Sequence, residues 1–184
     1  LAHGVHLSEA EMSLLASRGA SLVHCPASNM KLASGIAPIQ SVLDADVNVA
    51  LGTDGAASNN DLDVFDEMRD AAMVGKVSTG DASAVPARAV IGMATEGGAR
   101  ALGFEGGRLE VGSPADLIVV DFEDPRLTPV HDYVSHLVYA ATGSDVRHTL
   151  VDGRVLMRDR TVQTLDARRV KRRAEERAGA LVDR

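Results

Sequence analysis

The sequence predicts an α/β chain with a small β unit at its C-terminal end, and three observations carry that expectation. Short apolar runs alternate with helix-length segments over residues 1–105, the pattern of a parallel sheet covered by helices. One such run, Val47 to Leu51, passes at once into Gly52-Thr53-Asp54-Gly55, which puts a carboxylate where a buried strand ends. After Gly106-Gly107 the texture turns β-rich, and Asp152-Gly153 stands between β-branched flanks as a hairpin signal.

Leu1 to Val5 read as the end of a strand. Ser8-Glu9-Ala10-Glu11 is a capping box, opening a helix with Met12, Leu15 and Ala16 on one face and Gly19 as its stop. Ser21 to His24 form a second strand, which Pro26 keeps from continuing as a central one, and Ala27 to Gly35 read as a polar loop. A helix follows from about Pro38 to Asp44 or Ala45, before the strand that ends at Asp54. Leu62, Phe65, Met68 and Ala72 recur at helical spacing in Asp61 to Lys76, with Asn60 or Asp61 as the cap. A loop is expected over Val77 to Ala84, then a helix from Pro86 through Met93 and another from Thr95 to Leu102, stopped by Gly103. The β unit should hold strands at Ala115 to Asp121, at Val134 to Ala140, and at Val146 to Leu150 paired with Arg154 to Met157. Asp166 then caps a terminal helix with Val170, Ala174, Ala178 and Leu181 on one side. The chain so divides into residues 1–105 and residues 106–184.

With 45% hydrophobic and 24% charged residues among 184, the composition is that of a soluble globular protein. Net charge is −7, and the one basic run, Arg168 to Arg173, is followed by Glu175 and Glu176. That argues against a nucleic-acid surface. There is no signal peptide at the start and no apolar run of about 18 residues, so neither export nor a membrane partner is expected. The lone Cys25 excludes an internal disulfide and any Cys-rich zinc module, including the Pro-Cys-x-x-Cys type of deaminase. A cytoplasmic setting is the default, and a homo-oligomer is left open. The first residues, Leu1-Ala2-His3, read as the start of a piece of something longer.

His3, His24 and Asp54 each stand at a strand end, and parallel barrel strands aim those ends at one face. Two imidazoles and a carboxylate suit zinc or a similar divalent ion. A bound metal brings the pKa of its water towards ~7, and a carboxylate on that water can accept and return its proton. Each residue has a plainer role to set against this. Asp54 could be a helix cap, although Asn60 or Asp61 is better placed for one. A strand histidine is more often a satisfied, half-buried side chain than a ligand. His6 belongs to a loop, and His131, His136 and His148 have no partner pattern. Cys25 reads as small packing filler, Lys31 as solvent-exposed, and Asp116 as a turn residue. Asn29, Ser58 and Asn59 could bond a polar ring ligand or hold their own loops through Asx-turns.

Three segments in order, Leu1-Ala2-His3-Gly4-Val5-His6-Leu7, His24-Cys25-Pro26-Ala27-Ser28-Asn29-Met30-Lys31-Leu32 and Gly52-Thr53-Asp54-Gly55-Ala56-Ala57-Ser58-Asn59-Asn60, resemble the amidohydrolase superfamily. The likeness is nearest to its 5-methylthioadenosine/S-adenosylhomocysteine deaminase branch. Gly107 to Leu117 resembles that family's return into its β-sandwich. The resemblance implies the last three strands of a (β/α)8 TIM-like barrel, the C-terminal portion of a small β-sandwich and a terminal helix. It implies one divalent metal, zinc first, with iron, manganese or nickel as alternatives, and a purine nucleoside as substrate. Asp54 would then bind metal, contact substrate and shuttle the proton, His3 would bond the attacking hydroxide, and His24 would line the pocket, with Asn29, Ser58 and Asn59 nearby. The family's remaining ligands, its catalytic Glu and most nucleoside contacts have no counterpart in these residues. The chain alone is therefore expected to be inactive and to bind metal poorly. A relative acting on guanine, an oxidised purine or an s-triazine is one alternative, and a non-catalytic binding module is another.

Overall fold

A computed structural model describes residues 1–182, and their contacts fall into two units. The first holds Leu1–Ser113 with Phe122–Gly143; the second holds Pro114–Asp121 with residues 144–182.

In the first unit the chain enters through a parallel bridge, Ala2 to Val23, in place of a full strand. Helix α1 (Glu9–Ser17) has the expected capping box, the Glu11 carboxylate accepting from the Ser8 amide at 2.8 Å. Strand β1 (Ser21–His24) pairs in parallel with β2 (Asn48–Leu51), in register from Ser21 opposite Asn48 to His24 opposite Leu51. Both C-terminal ends therefore reach the same edge. Between them lie α2 (Pro26–Lys31) and α3 (Ile39–Asp44). Segment α2 corrects the loop expected there. Pro26 fits the first helical turn, where its missing N–H costs nothing, and the buried Ser28 and Asn29 anchor the turn by side-chain bonds.

After β2 comes a one-turn helix, α4 (Ala56–Asn59), and then α5 (Val64–Thr79). The cap of α5 is Asp63, not Asn60 or Asp61, because Asn60 and Leu62 both have positive φ and break the helix. Helix α5 also runs three residues further than expected, to a left-handed Gly80. Helix α6 (Ala87–Gly92) continues through a π-turn (Met93–Gly97) into α7 (Gly98–Leu102), so the two expected helices form one rod. The π-turn lies against β2, where a Cβ on Gly97 would sit 2.2 Å from the Val49 carbonyl oxygen. Leu22, Val42, Ala71, Ala72, Val85 and Val90 are fully buried and form the core between sheet and helices.

Residues 134–140 are expected as a strand, but 134–139 are helical in α8 (Tyr133–Tyr139) and Ala140 caps it. The Asp132 carboxylate caps it, accepting from the Ser135 amide at 2.6 Å, and Val134, Leu137 and Val138 fit a helical stripe as well as a strand.

The second unit is an antiparallel sheet in the order β3 (Leu117–Val120), β4 (Val146–Val151), β5 (Arg154–Arg158), β6 (Thr161–Val162). Asp152 (φ 49°) and Gly153 (φ 71°) make the turn between β4 and β5, both with the positive φ of a type I′ hairpin. Asp116 keeps its turn role, accepting from the Asp152 amide at 2.6 Å. Helix α9 (Ala167–Val182) starts where expected, with Asp166 accepting from the Arg169 amide. Among the described residues no helix is long and apolar enough to cross a membrane.

Candidate functional site

The site grows from the shared edge of β1 and β2. Just beyond β2, Asp54 has φ 60°, and at the bridge beside β1, His3 has φ 65°. Left-handed backbone is uncommon for residues with a Cβ, and two such residues at one sheet edge mark a place where side-chain aim outweighs backbone ease.

The Asp54 carboxylate is clamped from two helices. Ser28 on α2 and Ser58 on α4 each donate a hydroxyl to Oδ2 at 2.7 Å. These hydroxyls, Ser58 before Ser28, hold the carboxyl below the usual carboxylate range. Asp54 is therefore ionised at neutral pH while remaining exposed. On the other side, His3 Nδ1 lies 2.9 Å from Asn29 Oδ1. With the amide in that orientation Nδ1 carries the proton, and the lone pair of the neutral ring is left on Nε2. The sequence expectations left Asn29 between two roles; here its oxygen serves His3, and its Nδ2 is buried with no hydrogen-bond partner.

One cleft of about 540 Å³ brings His3, His6, Ser28, Asn29 and Asp54 to a common wall. His24 does not line it. That imidazole is 2% exposed on β1, its Nδ1 has no hydrogen-bond partner, and burial, with His3 adding a smaller push, takes its pKa down to about 4. Asn59 is also elsewhere: its oxygen accepts from the Leu62 amide at 2.7 Å and its Nδ2 donates to the Glu67 carboxylate. Lys31 is exposed as expected, its ammonium donating to the Ala57 carbonyl at 2.9 Å and to the Asn60 side chain. Cys25 is buried as expected, and burial pushes its thiol up to about 11. A second cleft of about 380 Å³, around Arg100 and Arg108, receives no strand-end residue.

Two residues of weight were not singled out from sequence. Ser28 was read only as part of a motif. Glu67 stands beside Met68 and Ala71 on the buried side of α5, where a carboxylate in an otherwise apolar setting is a visible signal. An exposed, ionised carboxylate such as Asp54 is a fit ligand for a divalent cation. Among the described residues, however, no group of three His, Cys, Asp or Glu side chains could hold a metal by itself.

The sequence pattern of the amidohydrolase family matches residues 1–156. This chain belongs to that family. It is 68% identical over 184 residues to a 5-methylthioadenosine/S-adenosylhomocysteine deaminase of Halobacterium salinarum, covering 100% of this chain and 43% of that protein. It is 52% identical over 183 residues to a 5'-deoxyadenosine deaminase of Methanosarcina mazei, covering 42% of it. Among solved structures, an adenosine deaminase from Xanthomonas campestris with bound zinc superposes with a TM-score of 0.97 at 42% identity, over 100% of this chain and 42% of the other. An atrazine chlorohydrolase from Arthrobacter aurescens complexed with zinc gives a TM-score of 0.88 at 29% identity, over 96% of this chain and 40% of the other. The chain thus spans less than half the length of these amidohydrolases.

Proposed function

We propose that this chain is the C-terminal part of a metal-dependent (β/α)8 hydrolase whose full-length form deaminates adenine nucleosides of the 5-methylthioadenosine or S-adenosylhomocysteine type. Residues 1–105 would supply its last three barrel strands, and residues 106–184 the closing portion of a small β-sandwich with the terminal helix. The observation that carries the reading is Asp54, ionised at a parallel strand end, clamped by Ser28 and Ser58 and sharing its cleft with His3. The printed names of the deaminase relatives support the substrate class, and zinc in two similar structures supports zinc as the ion.

In this reading Asp54 contributes one ligand oxygen, and the other ligands come from parts of the protein outside this chain. A divalent ion held there would supply water already close to ionisation at neutral pH. Asp54 would accept a proton from the attacking water as the water oxygen bonds to the aminated purine carbon. It would return that proton to the amino nitrogen as the C–N bond breaks, so that ammonia leaves the inosine analogue. The proton on His3 Nδ1 is held by Asn29, which keeps the lone pair on Nε2 as an acceptor towards the reacting oxygen. Asn29 meets substrate at the cleft wall, Ser58 and Asn59 act by holding the Asp54 loop, and His24 supports the wall from behind.

The test is ammonia release by the zinc-loaded full-length protein from 5'-methylthioadenosine, S-adenosylhomocysteine, 5'-deoxyadenosine and guanine, with chloride release read for atrazine. Adenine nucleosides should be the substrates, and Asp54→Asn should lower kcat by at least about a thousand-fold, since ligand and proton carrier are lost together. Turnover of guanine or atrazine with none of the nucleosides would overturn the assignment.

A further inference from the structure

Glu67 is the one fully buried carboxylate close to the site that the chemistry above does not use, and it is 1% exposed. It projects from α5 into the space behind α2 and α4, the two short helices whose serines clamp Asp54. Its two oxygens serve different helices. Oε2 accepts the Ala27 amide of α2 at 3.3 Å, and Oε1 accepts the Asn59 side-chain amide of α4. Asn59 cannot turn its amide over without losing the Leu62 bond at 2.7 Å, so the donor it offers Glu67 is fixed. A buried carboxylate is costly, and an apolar side chain would fill the same space more cheaply. Two acceptor oxygens on one rigid group are what an apolar residue cannot provide.

We propose that Glu67 is a positioning residue: it straps α2 to α4 from behind and so fixes the separation of Ser28 and Ser58, between which the Asp54 carboxylate is aimed. The catalytic part of this statement rests on the reading of Asp54 given above, whereas the strap itself does not. Burial pushes the Glu67 pKa up to about 7, with Asp70 and Asp61 adding repulsion and the Ala27 and Asn59 donors opposing it. Those two donors favour the ionised form that can accept from both sides.

The experiment is a swap of amide and carboxylate in the full-length protein. Glu67→Gln offers one acceptor and one donor, so a donor faces a donor on one side. The double variant Asn59→Asp/Glu67→Gln reverses the 59–67 bond and restores it, while the second Asp oxygen still accepts from Leu62. Hydrogen exchange of the amides at 27–31 and 54–60 is read beside kcat, KM and zinc content. In Glu67→Gln, exchange in both segments should rise by about ten-fold and kcat should fall by more than about ten-fold, with KM within about three-fold. The double variant should bring exchange and kcat back to within about three-fold of wild type. Asn59→Ala cuts one strap at a half-buried position and should show the same rise in exchange, which keeps the test decisive should Glu67→Gln fail to fold. Unchanged exchange in the folded single variants, or no recovery in the double variant, overturns the proposal. If the wild type deaminates no nucleoside, the substrate reading fails and the exchange measurements still decide the strap.

Discussion

Replacing His24 should change the pH dependence of stability in a direction opposite to ordinary acid sensitivity. His24 is neutral in the folded protein, its pKa taken from 6.5 down to about 4 by burial. The unfolded chain accepts a proton near pH 6.5 that the folded protein refuses. Stability from this group is therefore complete above pH 6.5 and is lost as pH falls towards 4. The lowering from 6.5 to about 4 corresponds to about 3 kcal/mol in the limit, most of it lost by pH 4.5. Glu67 acts with the other sign. Its raised pKa gives stability that is complete below 4.5 and lost as pH rises through about 7. Between pH 4.5 and 6.5 the two slopes oppose each other and partly cancel. In His24→Leu the slope from the imidazole is gone while every other group's remains, and the variant should gain on the wild type by about 2 to 3 kcal/mol between pH 7.5 and 4.5. The assay is urea denaturation followed by circular dichroism at half-unit steps of pH, reported as variant minus wild type. Acidic groups common to both, such as Glu11, Asp54, Asp81 and Asp159, cancel in that difference. A difference that moves by less than about 1 kcal/mol, or that favours the wild type on acidification, would refute the neutral buried imidazole.

Gly97→Ala should destabilise the protein by at least about 2 kcal/mol, because the added methyl meets the Val49 backbone oxygen at 2.2 Å and nothing flexible can yield. Thermal unfolding checks it, and a melting point within a degree of wild type would show that the π-turn does not press on β2. Zinc titrated calorimetrically into the 184-residue chain should show no tight one-to-one binding, since no group of three ligands exists among its described residues. A dissociation constant below about 1 μM would mean that this chain completes a metal site of its own.

What was legible in the sequence follows from the range of the forces involved. The Ser8 capping box, the Asp152-Gly153 hairpin and the carboxylate at the end of β2 are each fixed by neighbours a few residues apart, and all three stand as read. The α/β class was legible for the same reason, through local alternation. Segment α2 was not, because six residues opening on a proline form a helix only with help from afar: Ser28 bonds Asp54 and Asn29 bonds His3, each 26 residues away in sequence. The helix α8 was misread because Val134, Leu137 and Val138 suit both periods, and a cap at Asp132 decided between them. Glu67 is the most telling case. By local pattern it is a flaw in the apolar stripe of α5, and its meaning appears only when Ala27, 40 residues away, and Asn59, 8 residues away, arrive on either side. A buried charge that looks wrong on its own helix is informative because folding tolerates it only when distant groups converge on it. The same convergence of α2 and α4 clamps Asp54, so the residue that local pattern explained least stands behind the residue it picked out first.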